Sequence, residues 1–204
     1  MEVVQNWKVF GLEDSVRASK YPMAVNVNDV AYGITDTVRK LAKSEKGSGH
    51  DQFLTGIIVQ FDLTFSIKAW TEAQRYHFLD FVSSQSTMHR ITRLDPMMQC
   101  NEYVDIGTIN VLQRLIAQYN EHPTAENYLR VLYNVPTGFR LTARMTTNYR
   151  QLKTIYAQRK NHRLNEWQSF CAWIERELPH SYFITGGDNY YVGTQEANAN
   201  TAGA

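Results

Sequence analysis

The chain has 204 residues, of which 43% are hydrophobic and 20% charged, and its formal net charge is +1. This length allows one domain with a sizeable core, and the balanced charge gives no overall attraction to nucleic acid or to an anionic membrane. Its two cysteines, Cys100 and Cys171, are too few for a disulfide framework. No apolar run is long enough to span a membrane. We therefore expect a cytoplasmic protein that binds neither nucleic acid nor a membrane.

Residue patterns predict the elements of the N-terminal half. Val3, Trp7 and Val9 alternate with polar residues in a first strand. A short helix follows over 12–19, and the sequence NVND is predicted to cap a second helix. From Val59 to Ala69 apolar and polar residues alternate strictly, which is typical of a strand in an antiparallel or mixed sheet.

The following segments predict a further set of helices and one more strand. A helix capped by Thr71 is expected to reach Val82, and the segment SSQSTMHRI is expected to be a loop or a broken helix. Helical spacing then marks 109–119 and 128–132. Residues Gly138 to Thr146 alternate again.

The C-terminal part completes the expected fold. Asn148 is a plausible N-cap for a helix that continues to Arg159, and a last helix over 167–178 precedes Pro179. With no linker or internal repeat, the pattern predicts one α+β domain over 1–186. The Gly- and Asn-rich segment 187–204 is predicted to be a flexible tail.

Two cations lie on the apolar face of the helix that begins after Asn148. At 100° per residue, Arg159 and Arg163 fall close to the line through Leu152. A buried guanidinium requires an anion. One interpretation is an internal carboxylate pair or side chains that extend outward to solvent. The other is an anionic ligand such as a phosphate.

Three polar clusters stand at the ends of predicted elements, and ordinary solvated loops are the simplest explanation for each. No histidine pair has a metal-ligand spacing, so we expect no metal site. Taken together, the clusters would suit a large polyanionic ligand with a flat ring. They are 49–52, 83–90, and the set Asn148, Arg150, Arg159, His162 and Arg163.

Over about 12–179, the order of several motifs resembles that of the flavin-dependent thymidylate synthases, the ThyX family. VRASK is similar to the family's VRAAR-like helix, and a Gly-His loop at 49–50 precedes the alternating strand FDLTFSIKAW. A Ser-rich segment over 83–90 closes in arginine. Residues 145–159, MTTNYRQLKTIYAQR, are similar to the family's TMNAR-SL-HFL-LR element.

This resemblance implies an α+β fold with a mixed or antiparallel sheet and packed helices. It also implies an activity, in which FAD, methylenetetrahydrofolate and NADPH are used to transfer a one-carbon unit to C5 of dUMP. The flavin of that family lies at a subunit interface of a homotetramer. A pyrimidine deoxynucleotide is therefore the expected partner.

The resemblance also assigns roles by position. Asn148 and Arg150 match flavin-contacting residues, and His50, Ser83 and Arg163 are further expected cofactor contacts. Arg159 matches the arginine that holds the pyrimidine nucleotide and is the expected catalytic residue. The other expected substrate-binding residues are Arg90, Gln74, Gln85 and Ser86.

One motif of the family is replaced. The family's Arg-His-Arg sequence, followed after seven residues by serine, reads Phe78, Leu79, Asp80 and Met88 without gaps. A shifted alignment offers Arg75, His77 or Ser86 but requires a gap inside the predicted helix. The histidine partner of the flavin in the final helix is Arg163 here, with His162 beside it.

Three functions remain open from the sequence. The first is a diverged flavin- and folate-dependent enzyme that acts on dUMP or a related nucleotide. The second is a protein of this fold that has lost flavin chemistry and keeps only a nucleotide site or the oligomer. The third is an enzyme with a shifted substrate, such as dCMP or a nucleotide destined for modified DNA.

Overall fold

The computed structural model describes residues 2–45 and 47–187. The predicted tail lies outside this part of the chain except for Gly187. No helix in the described ranges combines the length and apolar character needed to cross a membrane. In chain order the elements are β1 (Val4–Phe10), α1 (Leu12–Ala18), α2 (Asp36–Lys43), β2 (Ile58–Ser66), α3 (Ile67–Ala73), β3 (Asp80–Ser84), α4 (Thr87–Arg90), α5 (Pro96–Gln99), α6 (Ile106–Glu121), α7 (Ala125–Tyr133), β4 (Arg140–Asn148), α8 (Tyr149–Arg159), α9 (Asn165–Glu177) and α10 (Tyr182–Thr185).

The strands form a four-stranded sheet in the order β1-β2-β4-β3, and every neighbouring pair is antiparallel. The long central pair runs from Ile58 opposite Asn148 to Ser66 opposite Arg140. Side chains alternate across β2, so that Phe61 and Leu63 are buried while Asp62 is only half-buried. The predicted α+β class and the predicted antiparallel sheet are confirmed.

Helices α8, α9 and α10 cover the apolar face of the sheet and form one core with it. Aromatic rings dominate the contact, since Phe61 lies 5.2 Å from Trp173 and Phe65 lies 4.9 Å from Trp167 between ring centroids. Helices α6 and α7 pack around a second apolar cluster that includes Phe139, the residue just before β4. The chain is a single α+β domain with its helices gathered against the sheet.

Two helix starts differ from the sequence-based predictions because other side chains provide the caps. The hydroxyl of Ser66 accepts a hydrogen bond from the amide of Ala69 at 3.2 Å, so β2 ends there and α3 begins at Ile67. Thr35, rather than the NVND segment, caps α2 through the amide of Val38. NVND instead contributes to a short 3₁₀ turn, Val27–Asp29.

The predicted helix from Thr71 to Val82 is wrong beyond Ala73, where α3 ends. After α3 the chain turns, and Asp80–Ser84 forms the edge strand β3 against β4. All five residues of β3 are exposed. The edge continues at Gln85, whose backbone amide donates to the carbonyl of Thr142 at 2.9 Å. The start of the predicted loop, including Ser83, is therefore ordered strand.

Candidate functional site

The junction of β4 and α8 is built by Asn148. Its side-chain oxygen accepts a hydrogen bond from the amide of Gln151 at 2.9 Å, which confirms the predicted N-cap. Asn148 is also the last residue of β4, where it pairs with Ile58 on β2. The side-chain nitrogen of Asn148 makes no hydrogen bond to any other described residue, so that amide is available to a ligand.

A buried carboxylate anchors the first turns of α8. Asp51 is 3% exposed at its side chain, and its two oxygens accept from Nε of Arg150 and Nζ of Lys153, each at 3.0 Å. Lys153 also donates to the carbonyls of Ala42 and Ser44, at 2.7 and 2.8 Å. These bonds tie α8 to the C-terminal end of α2. The terminal nitrogens of Arg150 make no hydrogen bond within the described ranges.

Asp51, Arg150 and Lys153 line a cavity of about 750 Å³, which we call the α8 cavity. The charged side chains among its lining residues are Arg150, Lys153 and Asp51, which together carry a formal net charge of +1. Its volume falls within the range of small-molecule sites. The remaining lining residues are Gly47, Gln52, Thr55, Phe78, Asn148, Gln151, Thr154 and Ala157.

The donor chemistry of this cavity fits FAD. The pyrophosphate of FAD is dianionic, and the free edge of Arg150 beside Lys153 is suited to phosphate oxygens. The Asn148 amide and the Thr55 hydroxyl offer uncharged hydrogen-bonding groups, and Phe78 offers an aromatic ring. His50 is exposed in the loop next to Asp51 and is not among the lining residues.

Arg159 lies in a separate polar cluster. Its Nη1 donates to Oε2 of Glu72 at 2.8 Å, and its Nε donates to the Tyr76 hydroxyl at 2.7 Å. The guanidinium lies 4.9 Å from the ring centre of Trp167, and the Arg159 and Glu72 side chains are each 15% exposed. The internal carboxylate pair left open by the sequence is therefore present. Nη2 has no hydrogen-bond partner in the described part of the chain.

His162 joins the same cluster. Its Nε2 lies 3.2 Å from Oε2 of Glu72, while its Nδ1 accepts a hydrogen bond from the amide of Leu164 at 3.2 Å. Because Nδ1 accepts, Nε2 is the ring nitrogen that carries a proton, and it faces the carboxylate. Glu72 is therefore the centre of the cluster, with Arg159 and His162 beside its Oε2 and Nζ of Lys68 3.7 Å from its Oε1.

Arg163 points away from that cluster and is exposed. It lines a second cavity, of about 640 Å³, with Lys68, Tyr103, Arg140 and Glu166 among its neighbours. Helical periodicity placed Arg159 and Arg163 on one face, but α8 ends at Arg159, so the two arginines lie in different sites.

Of the remaining predicted residues, Gln74 follows α3, and the others lie on β3 or just after it. Gln74 is exposed at the end of α3, and Ser83 is exposed on β3 opposite Arg144. Gln85 uses its side-chain oxygen to accept from the amide of Thr142 at 2.9 Å. Ser86 precedes α4, and its carbonyl accepts from the amide of Arg90 at 3.0 Å.

Arg90 is exposed and lines a third cavity, of about 500 Å³, together with His89, Arg93, Tyr119 and Tyr128. The predicted binding residues of one chain are therefore distributed over the α8 cavity, the Arg159 cluster, the Arg163 cavity and the Arg90 cavity. Asp51 and Gln52 of the first polar cluster line the α8 cavity together with Asn148 and Arg150, whereas no residue of the 83–90 segment lines it.

Residues 78–80 are the positions that the resemblance to the ThyX family aligns with the Arg-His-Arg motif. Leu79 is buried, with 4% of its surface exposed, and Asp80 starts β3 on the exposed edge. Phe78 is 65% exposed, has a backbone φ of 63°, and lines the α8 cavity. Only Phe78 of these three residues faces the site.

Neither cysteine provides a nucleophile. Burial, and next the carboxylate of Glu175, raises the pKa of the Cys171 thiol to about 12. Burial also raises the pKa of the Cys100 thiol, which the positive charge of Arg140 partly offsets. Both thiols are protonated at neutral pH and therefore unreactive, and Cys171 is a buried core residue.

Sequence comparisons with known families and proteins give no match, since no family model and no curated protein matches this chain. Comparison of structures gives many matches. Thymidylate synthase X (ThyX) from Helicobacter pylori, determined with FAD and dUMP, superposes with a TM-score of 0.69 at 16% identity, covering 90% of this chain and 97% of that one.

A second relative by structure is the UMP/dUMP methylase PolB from Streptomyces cacaoi, determined with 5-Br dUMP. It superposes with a TM-score of 0.56 at 14% identity over 86% of this chain and 91% of that one. At these identities the likeness concerns architecture alone. Our chain has the ThyX-like fold.

Proposed function

We propose that this protein binds FAD and a pyrimidine deoxynucleotide, dUMP or a related one. We further propose that it transfers a one-carbon unit from methylenetetrahydrofolate to C5 of the base, with NADPH as reductant. The observation that carries the proposal is the cationic cavity at the start of α8, in which buried Asp51 holds Arg150 and Lys153. The ThyX-like fold supports it.

The roles in this proposal follow from charge and hydrogen-bonding capacity. The free terminal nitrogens of Arg150 donate to the cofactor's pyrophosphate, and the Asn148 amide donates to another oxygen of the cofactor. Lys153 adds positive charge nearby, since its three protons are used by Asp51, Ala42 and Ser44. When bound, FAD would supply the redox chemistry of the one-carbon transfer. Arg90 holds the nucleotide phosphate. The free Nη2 of Arg159 donates to a carbonyl oxygen of the base and so stabilises charge that develops on the ring.

We include assembly into a homotetramer in the proposal because the proposed groups are separated within one chain. Arg90, Arg163 and the α8 cavity open at different places. Symmetric copies can bring such groups together at an interface. In this arrangement His50, Ser83 and Arg163 contact the cofactor, and Gln74, Gln85 and Ser86 lie around the nucleotide.

The flavin part is tested by titrating FAD into the protein and recording visible absorption and flavin fluorescence. We expect saturable binding that Arg150→Ala weakens at least about ten-fold, because a charge-assisted hydrogen bond contributes about 1.5–3 kcal/mol. Arg176→Ala is the matched control, since Arg176 is 65% exposed on α9. Wild-type protein that ignores added FAD would contradict the proposal.

The nucleotide part is tested by thermal unfolding with and without dUMP. We expect dUMP to raise the Tm of the wild type, as any ligand of the native state does, and Arg90→Ala to lose most of that increase. Arg90 is exposed, so its removal leaves the unliganded Tm nearly unchanged. Arg114→Ala, another exposed arginine, is the control and should retain the full dUMP effect.

A second candidate function is nucleotide binding without catalysis. The observation in its favour is the loss of three cations at 78–80, since Leu79 is buried and Asp80 brings negative charge. Incubation with dUMP, methylenetetrahydrofolate, FAD and NADPH separates the two candidates. A C5-modified nucleotide product supports the enzyme, and tight dUMP binding with no product supports the binding protein.

A further inference from the structure

Phe78 combines two unfavourable features. Its backbone φ is 63°, in the left-handed region that a bulky side chain adopts rarely and at a cost. Its ring is 65% exposed to water. Neither feature is needed to connect α3 to β3, because a glycine in this turn would relieve the backbone strain and remove the exposed ring.

The ring of Phe78 lies on the wall of the α8 cavity. The same cavity is lined by Arg150, whose free terminal nitrogens suit phosphate groups, by Lys153, which adds positive charge, and by Asn148. Cationic and aromatic groups in one cavity match a ligand that joins phosphates to a flat heteroaromatic ring. Binding such a ligand would cover the exposed ring and offset the cost of the strained backbone.

We propose that Phe78 is the stacking surface for a flat ring of the bound dinucleotide, either the isoalloxazine or the adenine of FAD. This inference rests on the proposed flavin function. It means that position 78 contributes to cofactor binding through an aromatic face rather than through a cation. Arg150 and Lys153 then supply the positive charge of the site.

The test is FAD titration of the wild type, Phe78→Ala and Phe78→Tyr, followed by flavin fluorescence and equilibrium dialysis. A stacked aromatic ring is worth about 1–3 kcal/mol per base, so Phe78→Ala should weaken FAD binding by about 5- to 150-fold. Phe78→Tyr should restore binding to near wild type because it keeps the ring. Titration with FMN and with ADP identifies which ring is stacked.

Controls separate stacking from folding. Tyr133→Ala removes another exposed aromatic ring, 85% exposed at the end of α7, and should leave FAD affinity unchanged. Phe78→Gly accepts the positive φ without strain, so it should fold with an unchanged or higher Tm while binding FAD as weakly as Phe78→Ala.

Three outcomes overturn the inference in distinguishable ways. If wild type and Phe78→Ala bind FAD equally well, stacking is wrong and the flavin function stands. If the wild type binds no FAD at all, the proposed function fails and the stacking role fails with it. Equal loss of affinity in Phe78→Ala and Phe78→Tyr would also contradict stacking.

Discussion

Replacing Glu72 by alanine is expected to lower the free energy of unfolding by about 3 kcal/mol, the low end of the cost of breaking a buried ion pair from one side, because this pair is largely but not fully buried. The guanidinium of Arg159 would lose its carboxylate at 2.8 Å, and His162 would lose the carboxylate that lies 3.2 Å from its Nε2. Both sides of the pair are 15% exposed, so water cannot fully replace Glu72. Urea unfolding followed by tryptophan fluorescence measures the change.

A double-mutant cycle with Arg159→Met identifies the source of the loss. Glu72→Ala leaves the Arg159 guanidinium without its carboxylate, and Arg159→Met leaves Glu72 with only His162 and, at 3.7 Å, Lys68. The double variant removes both sides of the pair, so it should be more stable than the sum of the two losses predicts. Glu177→Ala is the control, because the pair of Glu177 with Arg176 is exposed and 3.9 Å long. It should change stability by less than about 1 kcal/mol. A similarly small change in Glu72→Ala would show that Glu72 does not satisfy Arg159.

The cycle also bears on the function of Arg159. If Arg159→Met unfolds readily and Glu72→Ala restores part of that stability, the main role of this arginine in one chain is structural. Its free Nη2 can still donate to a ligand while Nη1 and Nε stay bound to Glu72 and Tyr76. A dUMP-dependent Tm increase that survives Arg159→Met would exclude the proposed contact with the base.

Periodicity predicted the sheet and its connection to α8 because one face of each central strand is buried. β4 alternates between buried Ala143 or Met145 and half-buried Arg144, and the change of period at Asn148 marks the start of the helix. Local side-chain chemistry decided this boundary, since the same residue both ends the strand and caps α8.

The stretch from Ile67 to Ser84 was predicted wrongly for two physical reasons. Ile67 and Ala69 continue the apolar alternation of β2, yet the cap by Ser66 starts a helix there. β3 is an edge strand with every residue exposed, so it carries no burial pattern that sequence could reveal. Tertiary pairing with β4, rather than local preference, makes it a strand.

The partners of the charged residues could not be read from the sequence. The periodicity of α8 indicated that Arg159 needs an anion, but the carboxylate that satisfies it is 87 positions away in Glu72. Asp51 lies 99 positions from Arg150. Lys153 was missed, although its position three residues after Arg150 places it on the same helix face. Only the folded sheet brings these groups together.

The second large effect is expected for Asp51→Ala, which should lower the unfolding free energy by about 3 kcal/mol. Asp51 is 3% exposed at its side chain and accepts from two cations. Without it, Arg150 and Lys153 repel each other next to the end of α2. Urea unfolding measures the loss, and Asp36→Ala, which removes an exposed partner of Arg39, is the surface control.

Single alanine variants of Asp51, Lys153 and Arg150 should rank differently in the stability they lose and in the FAD affinity they lose. Asp51→Ala should cost the most stability, Lys153→Ala less, and Arg150→Ala least, because Lys153 is 22% exposed and Arg150 is 34% exposed. FAD affinity should follow a different order, since Arg150→Ala removes the free terminal nitrogens and Asp51→Ala frees both cations to move. Arg150→Ala should therefore separate cofactor binding from folding, whereas Asp51→Ala should reduce both. If Arg150→Ala destabilises the protein as much as Asp51→Ala does, the arginine serves the fold and the cavity does not need it for phosphate.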